Sequence, residues 1–305
     1  MRVINNPTLP PHAVRDSADL LEVLQAAASN QTKLEIRGQG TRLGLGRPVE
    51  ADQIITLDGL NGITTYEPDE LVLIAKAATP LADILKALDE AGQMLAFDPP
   101  LGASKHKDAK GTLGGIIATN ASGPRRMVAG AARDYLLGFN AISGRAEGFK
   151  SGSRVMKNVT GYDLSKLMAG SFGTLAVMDE ITIKTMPKPE DAVTMLIKAK
   201  DEVEAENIIR KAFDSSFEPT TGAIIPAKTA IYSSSKPVRE FIKSGAIAAI
   251  RLEGFSVSVK SRVKALKDIL GASGEITTLE QKEADILHSD LREVTLLPEQ
   301  NNRVI

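Results

Sequence analysis

Three glycine-punctuated stretches constrain this chain more than any other feature: Ile36 to Gly46 (IRGQGTRLGLG), Gly111 to Gly123 (GTLGGIIATNASG) and Met156 to Leu175 (MKNVTGYDLSKLMAGSFGTL). Glycine has no Cβ, so it reaches positive φ and lets successive main-chain N–H groups converge on an anion. Three such stretches predict one extended, phosphate-bearing ligand. The first follows a short β-like run, Lys33 to Ile36, which invites a dinucleotide-binding reading. That fingerprint needs glycines at its first, third and sixth places before a helix, and the sixth place counted from Gly38 is Leu43. The spacing rules out a Rossmann site.

Composition removes several other classes. With 37 basic and 38 acidic residues, no global field draws nucleic acid or an anionic membrane. Trp is absent and Tyr numbers four, too few for an aromatic platform that stacks single-stranded nucleic acid. With no Cys, disulfides, thiolate metal sites, cysteine-ligated iron–sulfur clusters and a cysteinyl flavin link are excluded. Any iron–sulfur centre therefore belongs to a partner. The histidines, His12, His106 and His288, are far apart and form no paired metal-ligand spacing, so no metal is expected. The opening residues lack an apolar secretory core, and no stretch approaches the ~20 apolar residues of a membrane span. The expectation is a cytoplasmic protein without a direct membrane span.

Periodicity outlines two α+β domains in the 305 residues. A helix is predicted from Ser17 to Asn30, capped by Ser17, with Leu20, Leu21, Leu24 and Ala28 on one stripe. Strands are predicted at Lys33 to Ile36, Gln53 to Leu57 and Leu71 to Ala78, and a second helix from Thr79-Pro80, with Thr79 as cap, to Gly92. Two prolines in Met186-Pro-Lys-Pro189 place a domain boundary at 187/188. The segment 188–305 then reads strand, helix, strand, strand, helix, strand, with a last helix from about Glu280 to Val294, the order of a ferredoxin-like split βαβ unit.

Taken together, Arg37 to Thr41, Gly111 to Gly123 and Asp163 to Leu175 resemble the FAD-binding domain of the PCMH-type (vanillyl-alcohol-oxidase) flavoproteins. The likeness covers about residues 15 to 187. Within that family, Gly123-Pro-Arg-Arg126, Arg133-Asp134 and Val155 to Asp163 are most similar to the FAD-binding E subunits of glycolate oxidases. The resemblance implies a two-part FAD-binding domain over 1–187 and a smaller α+β cap over 188–305. The closing residues, Leu297 to Ile305, do not match the family's returning segment, so the cap is expected to be abbreviated.

The same resemblance assigns cofactor contacts. Arg37, Gly38, Gln39, Gly40 and Thr41 would hold the pyrophosphate, and Thr112, Gly114 and Gly115 the pyrophosphate or ribityl chain. Thr119, Asn120 and Gly123 would lie near the flavin ring, Lys157 and Asn158 with Gly161, Tyr162 and Asp163 would position its far side, and Gly170, Ser171, Gly173 and Thr174 would make a further close-approach turn. Val177 would face the adenine. Some relatives carry a flavin-linking histidine in the first loop, where this chain has Gln39 and Thr41, so the FAD is expected to be noncovalent. Read alone, the first segment is also an ordinary glycine-rich surface turn, the second a tight strand crossing filled by Gly and Ala, and the third a plain helix-to-strand connection.

Catalytic candidates are sparse. Arg125 and Arg126 could fork a substrate carboxylate, meet an acidic face of a partner, or lie in solvent. Tyr162 could act at the flavin or only pack, and Arg133-Asp134 reads as a structural ion pair. The histidine-rich motif of relatives that oxidise 2-hydroxy acids directly is missing between Glu190 and Ile305. The resemblance therefore implies an FAD-binding subunit of a complex that oxidises glycolate or D-lactate to the 2-oxo acid, with a companion flavin subunit and an iron–sulfur subunit as partners. Membrane association would come through those partners. A self-sufficient FAD oxidoreductase and a noncatalytic assembly subunit are the alternatives.

Overall fold

The computed structural model describes residues 10–47, 50–101, 111–152, 162–271 and 274–297. Up to residue 187 the order is β1 (His12–Ala13), α1 (Ser17–Asn30), β2 (Leu34–Arg37), β3 (Gln53–Thr56), β4 (Ile63–Glu67), β5 (Val72–Lys76), α2 (Leu81–Glu90) and β6 (Gln93–Met94). It continues with α3 (Leu113–Thr119), α4 (Arg126–Ala129), α5 (Ala132–Tyr135), β7 (Leu136–Ser143), β8 (Gly148–Gly152), α6 (Leu164–Met168), β9 (Ala176–Lys184) and β10 (Met186–Pro187). The remainder is β11 (Asp191–Ala199), α7 (Glu202–Phe213), β12 (Thr221–Pro226), α8 (Ala227–Ala230), α9 (Lys236–Phe241), β13 (Ala246–Gly254), α10 (Ser256–Leu270), β14 (Ile276–Leu279) and α11 (Gln281–Arg292).

These elements form two compact units, and their border is not a single cut. The first contains 1–122 and 131–187; the second contains 123–130 and 188–305. In the first unit a parallel sheet ordered β1-β3-β2 accompanies an antiparallel sheet ordered β4-β5-β9-β7-β8. β2 is an edge strand. The core takes Leu81, Ile84 and Leu88 from α2 and Leu113, Ile116 and Ile117 from α3, all fully buried. Each such side chain contributes about 1.5–3 kcal/mol on burial.

Helix starts show where local signals mislead by a residue. α1 is capped by Asp16, whose carboxylate accepts from the Asp19 N–H at 2.8 Å, rather than by Ser17. The Ser17 hydroxyl instead donates to Asp179 at 2.6 Å. Thr79 does not cap α2, because Pro80 holds the cap position. The buried Thr79 hydroxyl donates to the Lys76 carbonyl at 2.6 Å and accepts from the Gly62 N–H at 3.0 Å, stitching a turn.

The second unit is a four-stranded antiparallel sheet ordered β12-β13-β11-β14. Its strand order and the helices between strands make the ferredoxin-like pattern. Side chains alternate along β11. Met195 and Ile197 pack under α7 and α10 with Val259 and Leu266, whereas Leu196 packs on the opposite face with Val238 and Leu287. Both faces are covered, which explains the nearly unbroken apolar sequence of β11 and β13. The second face ends in charge: Arg251 donates from Nε to Glu253 at 2.8 Å and from Nη2 to Asp285 at 2.6 Å.

Candidate functional site

The first unit contains a cavity of about 910 Å³ walled by three separated pieces of sequence: 34–47, three residues of α3 with its cap Thr112, and Leu167 of α6 with the turn that follows it. That volume lies near the top of the ~300–1,000 Å³ usual for small-molecule sites. Each wall has an identifiable local cause.

Along the first wall, β2 leads into a turn containing Gly40 at φ +68°. Among the described residues, the main-chain N–H groups of Gly38, Gln39, Gly40 and Thr41 donate to no acceptor. Clustered free donors of this kind suit an anion. Gly38 is needed for a different reason: a Cβ there would lie 2.5 Å from the Thr112 Oγ1. The absence of a side chain lets this loop approach the start of α3. The wall's charged side chains are Glu35, paired with Arg37 at 2.6 Å, together with Arg42 and Arg47.

The second wall is α3. Thr112 is its N-cap, its buried hydroxyl accepting from the Gly115 N–H at 3.2 Å, so its side chain holds the helix. The Thr119 hydroxyl donates back to the Gly115 carbonyl at 2.7 Å. Gly115, Ala118 and Thr119 complete this side.

The third wall docks on the second. The Gly170 N–H donates to the Ile117 carbonyl at 3.1 Å, which also accepts from the Asn120 N–H at 3.0 Å, and the Phe172 N–H donates to the Ala118 carbonyl at 2.8 Å, an acceptor that the end of α3 leaves open. Gly170 takes φ +87°, and Phe172 is held at φ +56°. The Ser171 Oγ is buried with no hydrogen-bond partner among the described residues. A polar atom in that state, on the wall of a cavity with free main-chain donors, matches the needs of a polar, phosphate-bearing ligand.

The cavity brings together Arg37, Gly38, Gln39, Gly40, Thr41, Thr112, Gly115, Thr119, Gly170, Ser171, Gly173 and Thr174. Other expected residues lie elsewhere. Gly114 packs against β5's end, its N–H 2.7 Å from the Ala77 carbonyl. Asn120 ends α3 at φ +50°, and its Oδ1 accepts from the Arg133 N–H at 2.9 Å. Asp163 caps α6 through the Lys166 N–H at 3.1 Å, and Val177 is buried in β9. Gly161, Lys157, Asn158 and His106 fall outside the described residues.

The catalytic candidates do not converge. Tyr162 is 94% exposed and does not line the cavity. Gly123, Arg125 and Arg126 belong to the second unit, where Arg125 Nη1 lies 2.7 Å from Glu253 Oε2 and both side chains are largely buried. Arg133 and Asp134 do not pair as expected: Asp134 meets the Ala131 N–H at 2.8 Å and Lys166 at 3.3 Å. The main-chain donor, and then Lys166, hold the Asp134 carboxyl below the usual carboxylate range. His288 is buried on α11. Sequence reading passed over Arg42, Leu167 and Phe172 as lining residues, although each falls within or beside a glycine stretch.

Residues 12–149 match the FAD binding domain family. This part of the chain is an FAD-binding domain of the PCMH type. Glycolate oxidase subunit GlcE of Escherichia coli (strain K12) is 42% identical to the chain over 179 residues, 59% of this chain and 49% of that protein. Glycolate oxidase subunit GlcD of Bacillus subtilis (strain 168) is 29% identical over 185 residues, 60% and 38% of the respective chains. An alkyldihydroxyacetonephosphate synthase structure superposes with TM-score 0.72 at 18% identity, covering 92% of this chain and 55% of its own. That similarity reaches beyond the matched segment and concerns the fold alone. The chain spans about half the length of the curated relatives it matches. No helix among the described residues is long and apolar enough to cross a membrane.

Proposed function

We propose that this chain is the FAD-binding subunit of a glycolate oxidase-like complex that oxidises a small 2-hydroxy acid, glycolate or D-lactate, to the 2-oxo acid. The observation that carries this reading is the cavity that unites the three glycine stretches, in a chain 42% identical to a glycolate oxidase subunit over 179 residues. The free N–H groups of Gly38 to Thr41 would hold the pyrophosphate, and the Ser171 hydroxyl would donate to or accept from the cofactor's polar edge. Gly38, where a Cβ would strike Thr112, lets the first loop close on the start of α3. With Gln39 and Thr41 in the first loop, the cofactor is held without a covalent link. Bound FAD supplies a two-electron acceptor for the carbon bearing the substrate hydroxyl.

This chain relays electrons or completes the complex, and a companion flavin subunit oxidises the substrate. Among the described residues lining the cavity the titratable groups are Glu35, Arg37, Arg42 and Arg47. The carboxylate is already paired with Arg37, and no histidine stands with it, which supports a division of labour between subunits. An iron–sulfur partner then takes the electrons onward, and membrane association comes through the partners.

The test is a visible absorption spectrum of the purified chain before and after anaerobic glycolate or D-lactate, with released FAD quantified. Flavin bands that persist with substrate and bleach when the companion subunit is added are the expected result. Bleaching in the isolated chain would establish a self-sufficient dehydrogenase. A chain that cannot be loaded with FAD would overturn the reading.

A further inference from the structure

The third wall of the cavity carries a side chain that its own backbone disfavours. In the turn after α6, Gly170, Phe172 and Gly173 all take positive φ, at +87°, +56° and +72°. The left-handed region crowds Cβ against the following carbonyl, so glycine enters it freely and a bulky residue is an outlier there. The turn itself asks only for main chain at this position. The Phe172 N–H donates to the Ala118 carbonyl at 2.8 Å, and Thr174 closes on the Ser171 carbonyl with its N–H at 3.0 Å and its hydroxyl at 2.6 Å. Glycine at 172 would keep each of these bonds. The cost therefore belongs to the benzyl group, and burial in the core does not offset it, since Phe172 is 49% exposed.

The ring lines the cavity, and a Cβ on Gly46 of the first loop would lie 3.6 Å from two of its carbons. Leu43, Leu167 and Leu175 line the same cavity and are likewise left about half exposed. The walls thus offer two kinds of surface: free main-chain N–H groups at Gly38 to Thr41, and apolar side chains in solvent. The first suits an anion and the second a flat apolar ring. We infer that Phe172 is a ring-packing residue, held in a disfavoured backbone conformation so that its side chain meets an aromatic ring of the bound ligand. Strain of this kind persists where function repays it. This inference deepens the FAD reading above and rests on it. FAD carries two such rings, adenine and isoalloxazine, on either side of its pyrophosphate, and the proposal places one of them against Phe172.

The experiment compares the full chain as wild type, Phe172→Gly, Phe172→Leu and Phe172→Tyr. FAD Kd is measured by calorimetric titration, FMN and ADP are titrated in competition with FAD, and each ligand-free protein is melted. In Phe172→Gly the FAD Kd is expected to rise about tenfold, while the ligand-free melting temperature holds or rises because glycine relieves the left-handed conformation. Phe172→Leu keeps apolar bulk without the ring and should fall between, and Phe172→Tyr keeps the ring and should bind within about twofold of wild type. The loss should appear toward FMN or toward ADP but not both, which identifies the ring as isoalloxazine or adenine. Should Phe172→Gly not fold, the contrast of Leu with Tyr decides. FAD binding within about twofold of wild type in all three variants, equal losses toward FMN and ADP, or a Tyr variant as weak as Leu would overturn the proposal. So would a fall of more than about 4 °C in the ligand-free melting temperature of Phe172→Gly, which would assign the ring to the fold. A wild type that binds no FAD would instead remove the FAD reading, and the role of Phe172 with it.

Discussion

The cavity of the first unit and the charged end of β13 in the second solve opposite problems. The cavity is made of main chain: glycines lower its walls, and N–H groups at Gly38 to Thr41 are left without acceptors among the described residues. The β13 end is made of side chains: Arg125, Arg251, Glu253 and Asp285 are paired with one another. One region leaves main-chain donors open; the other pairs its charges, although Arg251 Nη1 stays buried without a hydrogen-bond partner among the described residues. Unsatisfied donors at the cavity cost stability in the empty protein and acquire value only with a ligand, whereas the ion pairs contribute to the fold without one. Substitutions in the two regions should therefore be told apart by whether FAD changes their effect.

The largest effect is expected at Glu253. Glu253→Ala strips Arg125 and Arg251 of their shared carboxylate and should destabilise the second unit by about 3–5 kcal/mol, the usual consequence of unpairing a buried charge. Urea unfolding followed by exchange in β13 measures it, and a loss below about 1 kcal/mol would show that this network does not hold the unit.

Next is Gly38→Ala. The new methyl meets Thr112 Oγ1 at 2.5 Å and must push the loop off α3, at about 1–3 kcal/mol in stability, with weakened FAD binding. Gly44→Ala in the same loop meets nothing within 4 Å and should stay within about 0.5 kcal/mol of wild type. Equal effects at the two positions would refute the close-approach role of Gly38.

Ser171→Ala should reverse sign with the ligand. In the apoprotein it removes a buried hydroxyl that lacks a partner, so melting temperature should hold or rise. FAD affinity should fall by the equivalent of about 0.5–1.5 kcal/mol, one hydrogen bond. Calorimetric titration and melting curves on the same pair of proteins check both halves.

The smallest effect is acid sensitivity at the start of α1. Hydrogen bonds from the Arg15 side chain and main-chain N–H pull the Asp19 carboxyl down to about 2. A carboxyl depressed in the fold adds stability above its unfolded pKa and loses it as pH falls through the folded value, so the window is about pH 4 to pH 2. Asp19→Asn should flatten the wild-type decline in that window, as followed by melting temperature against pH.

Much of the fold was legible because its signals are local. Helical spacing placed α1 within a residue, since Ser17, expected as its cap, is its first residue, and the strand-helix-strand-strand-helix-strand order of 188–305 matches β11 to β14 with α7 and α10. Capping was harder, since Asp16 and Ser17 both offer an oxygen and only the backbone turn selects between them. The glycine stretches announced an extended ligand from sequence alone. Which of their residues line the cavity could not be read there: Gly114 and Gly115 are neighbours, yet one packs on Ala77 and the other faces the cavity, according to the turn of α3.

Sequence by itself determined the longer helices α1, α2, α7 and α10 and the strands β11 and β13, the exclusion of cysteine chemistry and the glycine-rich character of the site, because each depends on residue type and short spacing. Tertiary structure alone decided that Arg125 pairs with Glu253, that Asp134 turns to Lys166 instead of Arg133, and that 123–130 joins the second unit. Those partners are far apart in the chain, and an arginine or a carboxylate carries no local mark of which opposite charge the fold will bring to it.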